Sequence, residues 1–417
     1  MSIAHRSRSA EVNGLTEGPI APHIVAFKQH LADGRYASST VARYLSYIAH
    51  FAPWVRGKRL CLSRIDEVSV AEFLDHHLPH CRCAGQIRHD RGGHRAALGH
   101  LLFVLRARGV IAVPAMSMTP VDEELRRYDA HMDRVRGLAP RTRTLVLRIV
   151  GRLLRQRFGG GVIDIAAIKP AHVRQFFAQQ VKGYRSPSGT SSVVTALHGY
   201  FRYRASLGDL VHALIGAVSC PPRWRLSTLP KTLTTEEVAQ LVNSLGKPGR
   251  SMRRADAIVR CALDLGLRRG EVARLGLDDI DWQAGTITLR RTKGLREDVL
   301  PLPATTGDAI ATYLKNERPA TSSRSVFVCH RAPRDMPVGP DVVGQTIRQA
   351  YARAGLPYTR SHLLRHTMAN RLLEGGSSLK EVADVLRHRA LSTTQIYAKL
   401  DSRKLGEVPL PWPGSES

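Results

Sequence analysis

Residues 361–400 have the sequence SHLLRHTMANRLLEGGSSLKEVADVLRHRALSTTQIYAKL, which holds four side chains suited to chemistry on a phosphate ester. His362 and Arg365 stand three residues apart, His388 follows, and Tyr397 lies nine residues later. Cleavage of a phosphate ester without a metal needs cations to hold the phosphate, a proton carrier and an attacking hydroxyl. This stretch contains all of these groups and is therefore a candidate site for that chemistry.

Three short helices are predicted within this stretch. Ser361 stands where it could cap the first helix, and two glycines follow where that helix should end. Ser378 with Glu381, and Ser392 with Gln395, have the spacing of capping boxes that begin the second and third helices. Because the helices are joined by tight turns, their polar side chains are expected to converge on one point.

Two further candidates lie upstream. Arg268 stands at the start of a helix that follows an amphipathic one. Two alternating runs, 286–291 and 297–301, predict a β-hairpin with Lys293 at its tip. Taken singly, each of these residues is more often an ordinary core or surface residue. Their ordered combination is what indicates a site.

Four blocks of the sequence resemble the signature motifs of tyrosine recombinases, the family of phage integrases and Xer recombinases. The blocks are GLRRGEVARLGLDDID (266–281), TKGLREDVLPLP (292–303), HLLRHTMANRLLEGG (362–376) and LRHRALSTTQIYAKL (386–400). The resemblance covers the whole C-terminal domain, in order. It implies six catalytic residues at the matching positions: Arg268, Lys293, His362, Arg365, His388 and the nucleophile Tyr397.

The resemblance implies that the Tyr397 hydroxyl attacks a scissile phosphate and leaves a 3′-phosphotyrosine and a free 5′-hydroxyl. Arg268 and Arg365 would hold the non-bridging oxygens, while the second histidine hydrogen-bonds the phosphate. Lys293 would protonate the leaving oxygen, and His362 would take the tyrosine proton. The bond energy stays in the protein–DNA ester, so no metal, ATP or other cofactor is expected. The sequence also lacks a GxxxxGK[ST] loop.

The partners implied by the resemblance are double-stranded DNA and further copies of the chain, as a homo-tetramer on two DNA sites. Partner recombinases or accessory proteins are additional candidates, and the task is integration, transposition or resolution. One alternative is a relaxing enzyme of the type IB topoisomerase kind, which shares the chemistry. Another is a catalytically silent DNA-binding accessory protein, against which the complete set of six residues argues.

The charge balance independently favours a polyanionic partner. The net charge is +27, from 62 Lys and Arg against 35 Asp and Glu. Such an excess gives salt-dependent affinity for nucleic acid, and the predominance of Arg over Lys suits bidentate phosphate contacts. The candidate DNA-binding residues lie in a helical segment and in the proline-rich linker that follows it: Arg141, Arg143, Arg148, Lys182, Arg185, Arg202, Arg223 and Arg225.

The predicted fold class is mainly α, with two small helical domains before a mixed α/β catalytic domain that has a small antiparallel sheet. The helix pattern repeats at a period of about 100 residues. The second copy resembles the core-binding domain of the family, whereas many relatives lack the first. The predicted boundaries are a flexible tail at 1–18, an additional helical domain at 19–115, a core-binding domain at 118–216, a linker at 217–232, the catalytic domain at 233–402 and a tail at 403–417.

A cluster of His and Cys residues lies in the first helical domain, at positions 76, 77, 80, 81, 83, 89 and 94. Zinc can be held by such side chains. However, Cys-x-Cys is not the usual Cys-x-x-Cys chelate, and no second matching pair follows. The cluster is therefore predicted to be a polar loop, and no metal site is predicted.

The sequence also predicts where the chain is found. No apolar run approaches the length of about 20 residues that a membrane helix needs, and the N-terminus lacks the apolar core of a signal peptide. The six cysteines are scattered, which favours free thiols in a reducing compartment. These features argue against a membrane protein or a disulfide-framed secreted protein, and they predict a cytoplasmic location.

Overall fold

A computed structural model gives a mainly helical fold with a small antiparallel sheet, which confirms the predicted fold class. The structure describes residues 15–16, 18–81, 83, 89–113, 118–183, 187–220, 230–245, 249, 251–290, 297–332, 336–388 and 394–400. Among these residues, no helix has the length and apolar character needed to span a bilayer. The chain divides into two compact units, Met1–Val113 with Thr228–Ser417, and Pro114–Ser227. The finer domain boundaries stay predictions.

The N-terminal part of the first unit contains helices α1 to α4, which span Ile24–Asp33, Ser38–Gly57, Glu67–Glu72 and Arg91–Ala107. Helix α3 begins at a capping box, where the Asp66 carboxylate accepts a hydrogen bond of 2.9 Å from the Ser69 backbone N–H. A π-helical turn, Phe73–His77, continues directly from it. Apolar side chains at helical spacing, such as Phe27 and Phe51, are fully buried and form the core of this part.

The second unit contains helices α5 to α9, which span Pro120–Arg134, Pro140–Phe158, Pro170–Lys182, Pro187–Ser206 and His212–Ile215. Helices α5, α6 and α7 each begin with proline at their first position, where the missing N–H costs nothing. The unit also buries a carboxylate, Glu124. It accepts hydrogen bonds of 2.9 Å from the Tyr200 hydroxyl and 3.0 Å from Arg204 Nη1. These bonds satisfy a charge that would otherwise be costly to bury.

The C-terminal part of the first unit contains helices α10 to α16, which span Thr235–Asn243, Met252–Leu263, Arg269–Arg274, Ala304–Asn316, Pro340–Arg353, His362–Glu374 and Leu379–Val385. Helix α11 packs against α13, α14 and α15. Its apolar face, which includes Ile258 and Ala262, is buried as the sequence pattern predicted. A 3₁₀ helix, Gln395–Leu400, closes the described chain.

Strands β1 (Ile280–Asp281), β2 (Thr286–Leu289) and β3 (Asp298–Pro301) form an antiparallel sheet in that order. Strands β2 and β3 pair in register, with Leu289 opposite Asp298. The two strands of the predicted hairpin are therefore confirmed. Its tip, residues 291–296, lies outside the described residues, and Lys293 is part of that tip.

The predicted helix caps had different outcomes. The Ser378 and Glu381 capping box is confirmed, with Ser378 Oγ accepting from the Glu381 N–H at 3.2 Å and Glu381 Oε2 accepting from the Ser378 N–H at 2.6 Å. The prediction that Ser361 caps α15 is wrong. Ser361 precedes α15 with a helical backbone, φ −65° and ψ −23°, and its side chain makes no capping hydrogen bond in the described structure. Ser392 of the third capping box lies outside the described residues.

Candidate functional site

A tight turn at Gly266 delivers Arg268 to the start of α12. Gly266 has φ +58°, and a Cβ added there would lie 2.8 Å from Met368 Sδ and 3.0 Å from Leu386 Cδ2. Only glycine tolerates this backbone conformation and this close approach together. The Gly266 carbonyl also accepts a hydrogen bond from Arg365 Nη1, so the turn is joined to the second arginine of the site.

Glu271, which the sequence interpretation missed, holds Arg268 in place. Its carboxylate accepts hydrogen bonds from Arg268, at 2.9 Å from the backbone N–H and 2.7 Å from Nη1. The same carboxylate accepts a bond of 2.9 Å from Arg387 Nη2. Burial raises the pKa of Glu271, but the charge of Arg387 and the hydrogen bonds from Arg268 outweigh it, and the net shift is downward. Glu271 is therefore an anion that joins two arginines.

Arg365 is almost fully buried, with 4% of its surface exposed. Its Nη2 donates to the Leu386 carbonyl, in addition to the bond from Nη1 to the Gly266 carbonyl. Burial, and then repulsion by Arg268 and Arg387, lower the pKa of Arg365 to about 9. The side chain therefore remains a cation near neutral pH. Because a guanidinium has five N–H donors, it still has donors for a phosphate oxygen.

His388 is positioned by the way α16 ends. The N–H of His388 donates to the Ala383 carbonyl at 2.9 Å, and the N–H of Arg387 donates to the Asp384 carbonyl at 2.9 Å, which is a Schellman motif. Arg387 takes the left-handed position, with φ +54°, at a cost of about 1 kcal/mol for a residue with a Cβ. From this position the Arg387 side chain pairs with Glu271. The His388 ring then hydrogen-bonds Thr394 Oγ1 through Nδ1, at 2.7 Å.

Tyr397 lies in the first turn of the closing 3₁₀ helix, with 1% of its surface exposed. It packs in an apolar cluster with Ala369 and Leu373 of α15, Val382 of α16 and Leu386 just after α16. Burial raises the pKa of its hydroxyl to about 12, although the nearby arginine charges pull it down. The hydroxyl therefore needs help to lose its proton near neutral pH.

The ring that contacts the Tyr397 hydroxyl is His366. Its Nδ1 lies 2.7 Å from the hydroxyl oxygen. Sequence reasoning chose His362 for this position and missed His366, which lies one helical turn farther along α15. The signal was available, because residues four apart lie on the same face of a helix. The sequence alone did not determine which turn of α15 the Tyr397 hydroxyl would reach.

The three histidines of the site are all less basic than usual. Desolvation lowers the pKa of His366 and of His388 to about 4, with the neighbouring positive charge of Arg365 adding to both shifts. Desolvation and then the Arg365 charge also lower the pKa of His362. The rings are therefore neutral near pH 7, as a proton acceptor must be.

Five of the six predicted catalytic residues lie close enough in the structure to interact electrostatically. The charges of Arg268 and Arg365 act on the Tyr397 hydroxyl and on the rings of His362 and His388. The sixth residue, Lys293, lies outside the described residues. The residues that sequence reasoning missed are Glu271, His366 and Arg387.

The predicted DNA-binding residues fall into three groups. Arg141, Arg148, Lys182 and Arg202 are exposed on α6, α7 and α8. Arg143 is largely shielded, with Nε 3.4 Å from Asp129 and Nη1 2.5 Å from Asp133, so its guanidinium is already paired with carboxylates. Arg185, Arg223 and Arg225 lie outside the described residues.

The chain matches the family model described as the phage integrase family over residues 231–404. It is 34% identical over 403 residues to a provisionally named integrase/recombinase, y4rA, of Sinorhizobium fredii, covering 95% of this chain and 96% of that protein. It is 32% identical to the tyrosine recombinase XerA of Thermococcus kodakarensis, covering 68% of this chain and 93% of that protein.

Solved structures of recombinases share this fold. One is the XerH site-specific recombinase bound to a palindromic difH substrate, with a TM-score of 0.53 and 18% identity over 69% of this chain and 86% of that one. Another is a lambda integrase dimer bound to a COC′ core site, with a TM-score of 0.50 and 16% identity over 65% of this chain and 96% of that one. At these identities the likeness shows the fold alone.

Proposed function

This chain belongs to the phage integrase family of tyrosine recombinases, and from that premise we propose that Tyr397 is the residue with which it breaks and rejoins DNA. The protein is a site-specific DNA recombinase, and DNA is its substrate. The observation that carries the catalytic assignment is the 2.7 Å hydrogen bond between the Tyr397 hydroxyl and His366 Nδ1, close to Arg268 and Arg365.

In the proposed step the Tyr397 oxygen attacks the scissile phosphorus, and the bond from phosphorus to the 5′-oxygen breaks. The product is a 3′-phosphotyrosine ester and a 5′-hydroxyl, so the number of phosphoester bonds is unchanged. Attack by a 5′-hydroxyl on the ester reverses the step and rejoins the DNA. No hydrolysis of a nucleotide is needed.

We assign the general base to His366. With a pKa of about 12, only about one Tyr397 hydroxyl in 10⁵ is ionised at pH 7, so the proton must leave during the attack. His366 accepts it in the tautomer that carries its own proton on Nε2, because Nδ1 faces the hydroxyl. The negative charge of a bound phosphate would raise the pKa of the ring from its DNA-free value of about 4, and this makes the transfer more favourable.

We assign the stabilisation of the phosphate to the two arginines and to His388. Arg268 and Arg365 are preorganised, one by Glu271 and the other by two backbone carbonyls, so little reorganisation is needed when charge develops. Lys293 keeps the role implied by the family resemblance, protonation of the leaving 5′-oxygen. Glu271 acts through Arg268 as a positioning residue.

A nicked suicide substrate tests the catalytic assignment. It is built from the DNA that flanks the gene, with the nick beside the cleavage position so that the short 5′-hydroxyl fragment diffuses away. The wild-type chain should accumulate a covalent protein–DNA adduct on a denaturing gel, and Tyr397→Phe should form none. An adduct of equal yield from Tyr397→Phe would overturn the assignment of the nucleophile.

The same substrate distinguishes between the two candidate general bases, His366 and His362. His366→Gln should slow adduct formation by about 10²–10⁴-fold, the usual contribution of a general base. Asn370→Ala is the matched control, since Asn370 lies one turn farther along α15 and bonds only Glu374 among the described contacts. If His362→Gln forms the adduct slowly while His366→Gln forms it at the wild-type rate, the general base is His362 instead.

We further propose that the chain acts in the cytoplasm, where its DNA lies, as a homo-tetramer that joins two DNA sites. The proposal is supported by family membership rather than by a described interface. Light scattering of the chain with two cognate duplexes should give the mass of four protomers and two duplexes. A monomer that relaxes supercoiled plasmids without a cognate site would favour the topoisomerase alternative instead.

We propose that the exposed cations of α6, α7 and α8 contact DNA phosphates. Removing one phosphate contact lowers the slope of log affinity against log salt by about 1. Arg148→Gln and Arg202→Gln should each show that change. Arg126→Gln is the control, because Arg126 is held by Glu123 on α5. Equal slopes in all four proteins would contradict the assignment.

A further inference from the structure

Four side chains with soft or nitrogen ligand atoms meet in the N-terminal helices. They are His50 of α2, His77 at the end of the π-helical turn, and Cys81 and Cys83 of the segment that follows. Their ligand atoms all lie within 4.8 Å of one another. Of this group, His50 lies far upstream of the cluster seen in the sequence, and it supplies the ligand that the sequence pattern lacked.

The spacing is close to that of a tetrahedral metal site. A Zn²⁺ ion with Zn–S of about 2.3 Å and Zn–N of about 2.0–2.1 Å separates its ligand atoms by about 3.3–3.8 Å. Cys83 Sγ and His77 Nε2 are 3.5 Å apart. The remaining separations, none longer than 4.8 Å, need to contract by no more than about 1.5 Å for all four ligands to reach one ion.

A hydrogen-bonded chain orients the His50 ring for this role. His94 Nδ1 donates to the Asp90 carbonyl at 2.9 Å, because a carbonyl only accepts. In the neutral ring, His94 Nε2 is then an acceptor, and it takes a bond of 3.2 Å from His50 Nδ1. His50 Nε2 is left with its lone pair. Metal-binding imidazoles are oriented in the same way by a partner on the other ring nitrogen.

The remaining nitrogen of His50 is the second feature that fits a metal ligand. His50 Nε2 is buried and has no hydrogen-bond partner among the described residues. A buried nitrogen without a partner costs free energy, and coordination to a metal would satisfy it. The other histidines of the sequence cluster are placed differently. His76 and His80 are exposed, and His89 Nδ1 bonds the Leu78 carbonyl at 2.8 Å.

We propose that His50, His77, Cys81 and Cys83 bind one Zn²⁺ as a closed, structural site. Two thiolates and two imidazoles in tetrahedral array are the donor set that selects zinc, and four protein ligands leave no position open for a substrate. Binding converts both thiols to thiolates and releases their two protons to solvent. The ion joins the segment after the π-helical turn to α2, and this inference does not depend on the proposed recombinase mechanism.

Metal analysis of the full-length chain, purified without a histidine tag and with reduced thiols, tests the site. The wild-type chain should carry one zinc per chain, and the double variant Cys81→Ser/Cys83→Ser should carry none. Cys61→Ser is the matched control, because Cys61 is an exposed free cysteine of the same helical segment. Zinc in the double variant at the wild-type level would overturn the proposal, as would a wild-type chain that takes up no added zinc.

Cobalt replacement keeps the test decisive even if the double variant fails to fold. Co²⁺ added to the metal-free wild-type chain should give the intense visible bands of a tetrahedral site and a thiolate charge-transfer band in the near ultraviolet. Added zinc should abolish these bands and slow alkylation of Cys81 and Cys83, while alkylation of Cys61 is unchanged. Weak octahedral cobalt bands, or equal alkylation with and without zinc, would rule the site out.

Discussion

Replacing Glu271 by glutamine removes the negative charge that lies between Arg268 and Arg387. The side chains of Glu271 and Arg387 are 4% and 5% exposed, whereas that of Arg268 is 28% exposed. Water can therefore solvate Arg268 after the substitution but cannot reach Arg387. The main cost comes from leaving Arg387 as a buried cation without its counter-ion.

Removing one partner of a buried ion pair typically costs 3–5 kcal/mol, and the remaining hydrogen bonds of glutamine place this case at the lower end, about 3 kcal/mol. That corresponds to about 100-fold faster hydrogen exchange at amides that open with this region. The matched control is Asp278→Asn. Asp278 pairs with Arg324 on the surface, where both side chains are more than two-thirds exposed, so little change is expected.

Hydrogen exchange followed by mass spectrometry measures the effect in α12, α15 and α16 separately. Glu271→Gln should accelerate exchange in these helices and leave α1 to α4 unchanged. The double variant Glu271→Leu/Arg387→Met should regain most of the stability that Glu271→Gln loses, since an apolar pair can replace a buried ion pair at little cost. If Glu271→Gln exchanges no faster than Asp278→Asn, the carboxylate of Glu271 does not stabilise the site.

Two further predictions concern pH and helix capping. The folded-state pKa values of His366 and His388, about 4, lie below the ordinary 6.5, so the unfolded chain takes up protons first as the pH falls. Stability of the C-terminal helices should therefore fall between about pH 6.5 and 4, and His366→Gln/His388→Gln should flatten that slope in thermal unfolding. Ser378→Ala should destabilise α16 by about 1 kcal/mol, measured by local exchange, because it removes the cap, whereas Ser377→Ala should have no such effect. A flat pH profile in the wild type, or equal exchange in the two serine variants, would contradict these predictions.

Local features of the fold could be predicted because their chemistry is local. Ser378 and Glu381 form a capping box from groups three residues apart, and the strands of the hairpin follow from alternation over a few residues. Ser361 shows the limit of this reasoning. Serine is a favourable capping residue, but a capping residue needs an extended backbone of its own, and the backbone of Ser361 is helical.

Motif positions predicted which residues would lie together, and Arg268, Arg365 and Tyr397 do lie close enough to interact electrostatically. The site was not predictable where partners meet across the fold. Glu271 lies on α12 and Arg387 just after the end of α16, and they pair only when α12 packs near that end. In the same way, His50 joins the cysteine segment only through the packing of α2, so no spacing rule could have included it.

The most direct test of the account is to identify the amino acid that becomes joined to DNA. The wild-type adduct from the nicked substrate is digested with protease and nuclease, and the remaining nucleotide-bearing peptide is sequenced by mass spectrometry. We predict the peptide that contains Tyr397, linked through its phenolic oxygen to a 3′-phosphate. A linkage to any other residue, or to a 5′-phosphate, would contradict it.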